Sequence, residues 1–324
     1  MSNSTDIRGY AERKQTALRS KGDRGFNKVN EITERVWLSR WYFPVLLILS
    51  GAFLLLDQQV LGVAVMVIIT ACFLALCPDV MAAWCPFLML FLFAGPEYED
   101  LSVFLPCAPL AVVLLAAVIV HMICWPRPLR VGRSGFGLLL VALATALGGV
   151  GTISRADYFR AMSIYYILGL GAGLLIFYVL FRSCLSQERN YDLQDRFMAL
   201  LYTLGGMAIL LVLAHYVQHF SEFVASHGVL DFKCRNFCAT ILLTTLPAPF
   251  YFARKNRWHL AVCALFALFL VLTGSRSAIL FGAILIVLCC VYLVRYRVVS
   301  WRLMVILGAC AMIAVAIFGA DYLS

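Results

Sequence analysis

Long apolar blocks alternate with short polar joints along most of this chain. WYFPVLLILSGAFLLL, VLGVAVMVIITACFLALC and FMALLYTLGGMAILLVLAHYV each approach the ~20 residues that a helix needs to cross a bilayer. In hydrocarbon the backbone must satisfy its own hydrogen bonds, so blocks of this length predict helices. The period-2 alternation of membrane-barrel strands is not visible. The pattern places eleven candidate spans, at 41–56, 60–77, 80–95, 102–125, 135–153, 163–181, 197–217, 236–252, 259–274, 277–294 and 303–319. The predicted fold class is all-α, a polytopic transmembrane helix bundle of about 11 spans. A polar arm at 1–40 precedes the transmembrane helical domain at 41–319, and 320–324 is expected to start a longer outer loop. No internal repeat with matched, broken helices of the transporter kind is visible.

Composition points the same way. Apolar residues make up 63% of the chain and charged residues 13%, against about 45–50% and about 25% in soluble proteins. The first forty residues carry nine Lys or Arg and no cleavable signal pattern, so they read as a disordered or amphipathic cytoplasmic arm. With the N-terminus inside and sides alternating at each span, 21 of the 26 Lys and Arg fall on the inside. The outer segment PEYED has three acids and no base. This asymmetry predicts a cytoplasmic N-terminus. The net charge of +9 then reflects attraction of inner loops to anionic membrane lipid, and no nucleic acid partner is expected. The twelve cysteines lie mostly within spans and form no CxxC pair, which suggests neither a disulfide framework nor a zinc site.

Five basic residues remain outside, against the bias: Arg155, Arg160, Lys233, Arg235 and Arg276. Arg276 lies in LTGSRSAIL, where two spans meet near the outer surface. An arginine there is costly unless it pairs, snorkels or faces water. Gly274, Ser275 and Ser277 beside it permit a tight turn and supply hydroxyls. Guanidinium suits bidentate phosphate binding, although an interfacial anchor or a structural ion pair also explains Arg276. In DFKCRNFCAT, Lys233, Arg235 and Asn236 stand at a helix start, where free amides favour an anion; solvated charges at a helix start are the plainer account. In TISRADYFRAM, Arg155 and Arg160 flank Asp157 and Tyr158, and surface pairing of Arg155 with Asp157 is the plainer account there. His215 and His219 share one helical face but lack HExxH and a third ligand, so no metal is expected. His227 reads as a solvated loop residue, His121 and His259 as structural, and Glu97, Glu99 and Asp100 as an exposed acidic turn.

LTGSRSAILFGAILIVL resembles the signature of the O-antigen ligase and polymerase superfamily, in which a Ser-Arg-small element opens a transmembrane helix on the outer side. CRNFCATILLTTLPAPFYF resembles the family's preceding helix, and the basic turn ARKNRW fits the spacing between the two. The resemblance is strongest over about 230–320. It implies an integral-membrane enzyme that transfers a glycan from an undecaprenyl-diphosphate carrier to a glycan, lipid or protein acceptor. The active face would lie outside the cytoplasmic (inner) membrane, extracellular or periplasmic, and no metal or other cofactor is implied. It further implies that Arg276 and Arg235 bind the donor diphosphate beside Ser275, with Lys233, Arg155 and Arg160 assisting. The family's histidine-bearing outer loop would begin where this sequence stops. The general base is therefore not expected within these 324 residues: either the chain is a fragment or it is inactive as it stands, and no catalytic residue is assigned.

Two other classes fit the topology: a transporter of a small anion or lipid-linked sugar, and a noncatalytic scaffold or sensor. A transporter places charges in mid-membrane along a path. Here the span centres are almost free of charge, and the unusual arginines lie at the outer face.

Overall fold

The computed structural model describes residues 24–93, 106–126, 132–152, 191–226 and 235–302, together with 175, 178, 179 and 182. Among them every extended regular element is a helix and no strand occurs. In order these are α1 (Arg24–Leu38), α2 (Tyr42–Leu55), α3 (Gln59–Leu76), α4 (Met81–Phe93), α5 (Ala108–Cys124) and α6 (Arg133–Thr152). There follow α7 (Leu193–Gln218), α8 (Phe220–Ser226), α9 (Arg235–Thr245), α10 (Pro247–Ala253), α11 (His259–Leu272) and α12 (Arg276–Arg295). The candidate span at 303–319 lies outside the described residues, and that at 163–181 almost wholly so.

Among the described residues four helices are long and apolar enough to cross a membrane: α3, α7, α12 and the α9–α10 pair, Arg235–Ala253. The pair Lys28–Leu38 and Tyr42–Leu55, bent by 78°, makes a fifth if it is one span. The apolar stretches of α4, α5, α6 and α11 are shorter. The outward side of α12 exposes Leu280, Ile284, Val287, Leu288 and Val291 at helical spacing. Such a stripe suits lipid and would be an aggregation liability in water. The chain is thus a helical, membrane-embedded protein. The joint between α9 and α10 follows from Pro247 at the start of α10, because proline has no N–H and its ring crowds the preceding turn.

The chain divides into two compact units. One is drawn from Met1–Arg35, Ala71–Ala82 and Leu115–Tyr191. Within it Thr33 Oγ1 donates to Leu76 O at 2.8 Å, and His121 Nδ1 meets Leu74 O at 2.8 Å. A carbonyl only accepts, so His121 donates there, in keeping with a structural role.

The other unit, from Val36–Thr70, Ala83–Leu114 and Asp192–Ser324, is organised by α7, which packs against α2, α9, α10 and α11. Asp192 caps α7, its side chain accepting from the amides of Gln194 and Asp195. Small residues let the helices approach closely. A Cβ at Gly205 would collide with Phe266 and Thr245, and one at Gly282 with Leu270. Met207, Leu242, Leu246, Phe266 and Leu270 fill the space between them and are almost wholly buried.

This second unit has two chemically distinct ends. At one, α7 begins, α10 ends, α11 begins and α12 ends. Arg196, Arg254, Lys255, Arg257, Arg295 and Arg297 gather there. Lys255 pairs with Asp195, which also accepts from the Tyr251 hydroxyl. The Arg254 guanidinium lies over the rings of Tyr251 and Tyr296, 5.1 and 5.0 Å from their centroids. Tyr202 hydroxyl and His259 Nδ1 are 3.2 Å apart near this end, which also gives His259 a structural contact. At the opposite end α9 and α12 start and α7 and α11 finish, with Tyr216 donating to Leu272 O at 2.9 Å.

Candidate functional site

The sequence SRSA stands at that second end, where α11 turns into α12. Helix α11 closes at Thr273, whose amide bonds Phe269 O at 3.1 Å. Gly274 follows at φ 67°, a left-handed conformation that glycine adopts without steric cost. Ser275 is then extended, at φ −81° and ψ 106°, and α12 begins at Arg276. Three residues thus reverse the chain between two antiparallel helices.

The turn is held from inside by hydroxyls. Thr273 is fully buried; its Oγ1 donates to Leu270 O at 2.7 Å and accepts from Ser275 N at 3.4 Å. Ser275, also buried, sits where a serine usually caps the helix it precedes. It makes no such cap. Its hydroxyl instead donates to Asn236 Oδ1 at 3.0 Å and lies 3.5 Å from Ser277 Oγ. Asn236 is the second residue of α9, so this contact ties the first turn of α9 to the first turn of α12.

Two parallel helix starts therefore lie side by side, each opened by an exposed arginine, Arg235 on α9 and Arg276 on α12. The leading amides of each helix have no intrahelical acceptor, and both macrodipoles present their positive ends there. Guanidinium groups, the positive ends of two helices and the Ser277 hydroxyl favour an anion over a cation here.

Of the residues singled out in the sequence, Arg276, Ser275 and Arg235 come together at this end. Lys233, Arg155, Arg160 and His227 lie outside the described residues. In the sequence Asn236 stands out only as part of a helix start, and Thr273 does not stand out as part of the site. The signal for Thr273 was its place directly before a glycine at the end of an apolar run. His215 and His219 are at the same end, their rings tilted with centroids 4.4 Å apart and His219 Nδ1 3.0 Å from His215 O. His215 also lines a small recess, roomy enough for little more than a water molecule, with Leu54, Gln59, Leu92, Phe93, Leu211, Ala214 and Gln218. Among the described residues no group of three or more His, Cys, Asp or Glu is placed to hold a metal. No protein-family model matches this chain, and neither a curated protein nor a solved structure matches it.

Proposed function

We propose that this protein is a membrane glycan transferase of the ligase or polymerase type, with eleven spans and a cytoplasmic N-terminus. It takes an undecaprenyl-diphosphate-linked glycan at the outer face of the cytoplasmic membrane and passes it to a glycan, lipid or protein acceptor. Arg276 and Arg235 grip the diphosphate, Ser275 fixes their two helices against each other, and Lys233, Arg155 and Arg160 assist. When the sugar–phosphate bond breaks, the diphosphate leaves with its charge growing. Fixed guanidinium groups and helix-end amides stabilise that charge.

The observation carrying this reading is the Ser275–Asn236 hydrogen bond, which brings two arginine-led helix starts to one end of the unit. The gathering of Arg196, Arg254, Lys255, Arg257, Arg295 and Arg297 at the opposite end of the same unit supports the assigned sidedness. A transporter reading draws no comparable support, because the described arginines of the site stand at helix ends rather than along a path between them.

The test is binding of the leaving group itself. Purified protein in nanodiscs should bind undecaprenyl diphosphate saturably and more tightly than undecaprenyl phosphate. The Arg235→Ala/Arg276→Ala double variant should lose that preference. Equal binding of both lipids by the unaltered protein, or an unchanged preference in the double variant, would remove the site from the proposal.

A further inference from the structure

The polar arm ends in a helix, α1, whose surface divides into three sectors. At 3.6 residues per turn, Val29, Ile32 and Val36 fall within an arc of about 60°. They are 40, 51 and 48% exposed. Thr33 and Trp37 follow on one flank; Trp37 is fully buried, and Thr33 donates to Leu76 O. Lys28, Glu31, Glu34 and Arg35 take the rest of the circumference and are exposed. One sector faces protein and one is charged. The third is aliphatic and uncovered.

The chain turns by 78° between Lys28–Leu38 and Tyr42–Leu55. The turn is fastened from α7: Arg196 donates to the carbonyls of Trp37, Leu38 and Ser39, with its guanidinium 5.3 Å from the Trp37 ring centroid. Trp41 follows the turn, 60% exposed, with Arg40 lying over its ring at 5.5 Å. Exposed tryptophan beside arginine at the mouth of an apolar helix marks the level of the lipid headgroups.

We infer that α1 is not the first half of a broken span but an in-plane helix. Its Val29–Ile32–Val36 stripe is seated in the bilayer surface where α2 enters. Helix α2 is apolar apart from Tyr42 and a buried Ser50, so a helix turned 78° from it runs nearly parallel to the membrane. A charged face opposite an apolar stripe, with little overall hydrophobicity, is the composition of interfacial helices. The first forty residues hold nine basic and five acidic side chains, a balance that favours an anionic leaflet. A protein partner fits less well, because three aliphatic side chains fall far short of the ~800 Å² per partner of a stable interface.

The test places nitroxide labels singly at 28, 29, 31, 32, 35 and 36 of a full-length, cysteine-free chain. The chain is reconstituted in vesicles of phosphatidylcholine and phosphatidylglycerol. Collision with oxygen reports lipid, and collision with a water-soluble nickel chelate reports water. Labels at 29, 32 and 36 should favour oxygen several-fold over those at 28, 31 and 35. Labels that all favour nickel overturn the inference. So do depths that rise steadily from 28 to 36, the mark of a broken span, and shielding of 29, 32 and 36 from both reagents, the mark of a protein contact. A second measurement keeps the native cysteines. A photo-crosslinking amino acid at 32 should give phospholipid adducts that the same group at 31 does not, and equal yields at the two positions overturn the inference as well.

Discussion

Ser275 donates its hydroxyl hydrogen to Asn236 Oδ1 across 3.0 Å, joining the first turns of two helices whose contacting residues are 39 positions apart. A serine in front of a helix ordinarily accepts from that helix's own amides. Here it reaches sideways, so the register of α12 against α9, and with it the placing of Arg276 beside Arg235, depends on this pair.

Ser275→Ala and Asn236→Ala should therefore each lower glycan transfer on the order of fivefold, the rate equivalent of about 1 kcal/mol for a neutral hydrogen bond. The double variant should be no worse than the weaker single, giving a coupling energy of about 1 kcal/mol. Thermal unfolding in detergent offers the same cycle without reference to activity. Additive losses in both readouts would show that the two side chains act separately.

Gly274 carries the turn through φ 67°. Alanine there meets the left-handed penalty of roughly 1–2 kcal/mol. Gly274→Ala should lower the unfolding temperature, and Gly274→Asn should lower it less, because asparagine tolerates that region better. Equal melting of the alanine variant and the unaltered protein would mean that the turn relaxes to another conformation.

The described apolar helices were legible in the sequence as apolar blocks, which lipid demands, but only four of them are long enough to cross a membrane, and Pro247 and Gly274 set ends that no charge marks. The buried Thr273 and the Ser275–Asn236 bond were not legible. Both depend on which helices become neighbours, and an apolar block looks alike on its lipid-facing and protein-facing sides. Helix α1 was half legible: its polar composition suggested disorder or amphipathicity equally, and its order depends in part on Arg196, more than 150 positions away.

At the basic end of the second unit two ionic contacts look similar and should differ in weight. Lys255 and Asp195 pair with side chains 44 and 33% exposed, so Asp195→Asn should cost less than about 1 kcal/mol. Arg196 holds three carbonyls of the α1–α2 turn and stacks on Trp37. Arg196→Ala should cost on the order of 2 kcal/mol. Thermal denaturation of both variants tests the ranking, and a larger loss for Asp195→Asn would refute it.

The proposed sidedness is open to direct labelling. Single cysteines at Asn256 and Glu222, in a background without native cysteines, stand at opposite ends of the second unit. In intact cells an impermeant maleimide should modify position 222 and leave 256 untouched until the membrane is permeabilised. Modification of 256 from outside would reverse the orientation and put the arginine-led helix starts on the cytoplasmic face.

Arg276 separates the functional reading from a structural one. As a diphosphate ligand at the start of α12, it acts through a planar, two-pronged contact with a group that loses its water on binding. Arg276→Ala should then abolish detectable transfer while leaving membrane insertion and protein level nearly intact. Losing a charge-assisted contact of this kind costs on the order of 2–5 kcal/mol, a factor of roughly 30 to several thousand in rate. Arg276→Lys should recover little, because an ammonium is a point charge and cannot reproduce the fork. Arg235→Ala should be milder, because the amides of the α9 start remain to hold the anion. An anchoring arginine behaves otherwise. Lysine snorkels as well as arginine does, so Arg276→Lys would be silent, and Arg276→Ala would lower the amount of protein rather than the activity of each molecule. Specific activity must therefore be normalised to folded protein and measured with a defined lipid-linked donor. Full activity per molecule in Arg276→Ala would leave Arg276 an anchor and the proposed mechanism without its principal ligand.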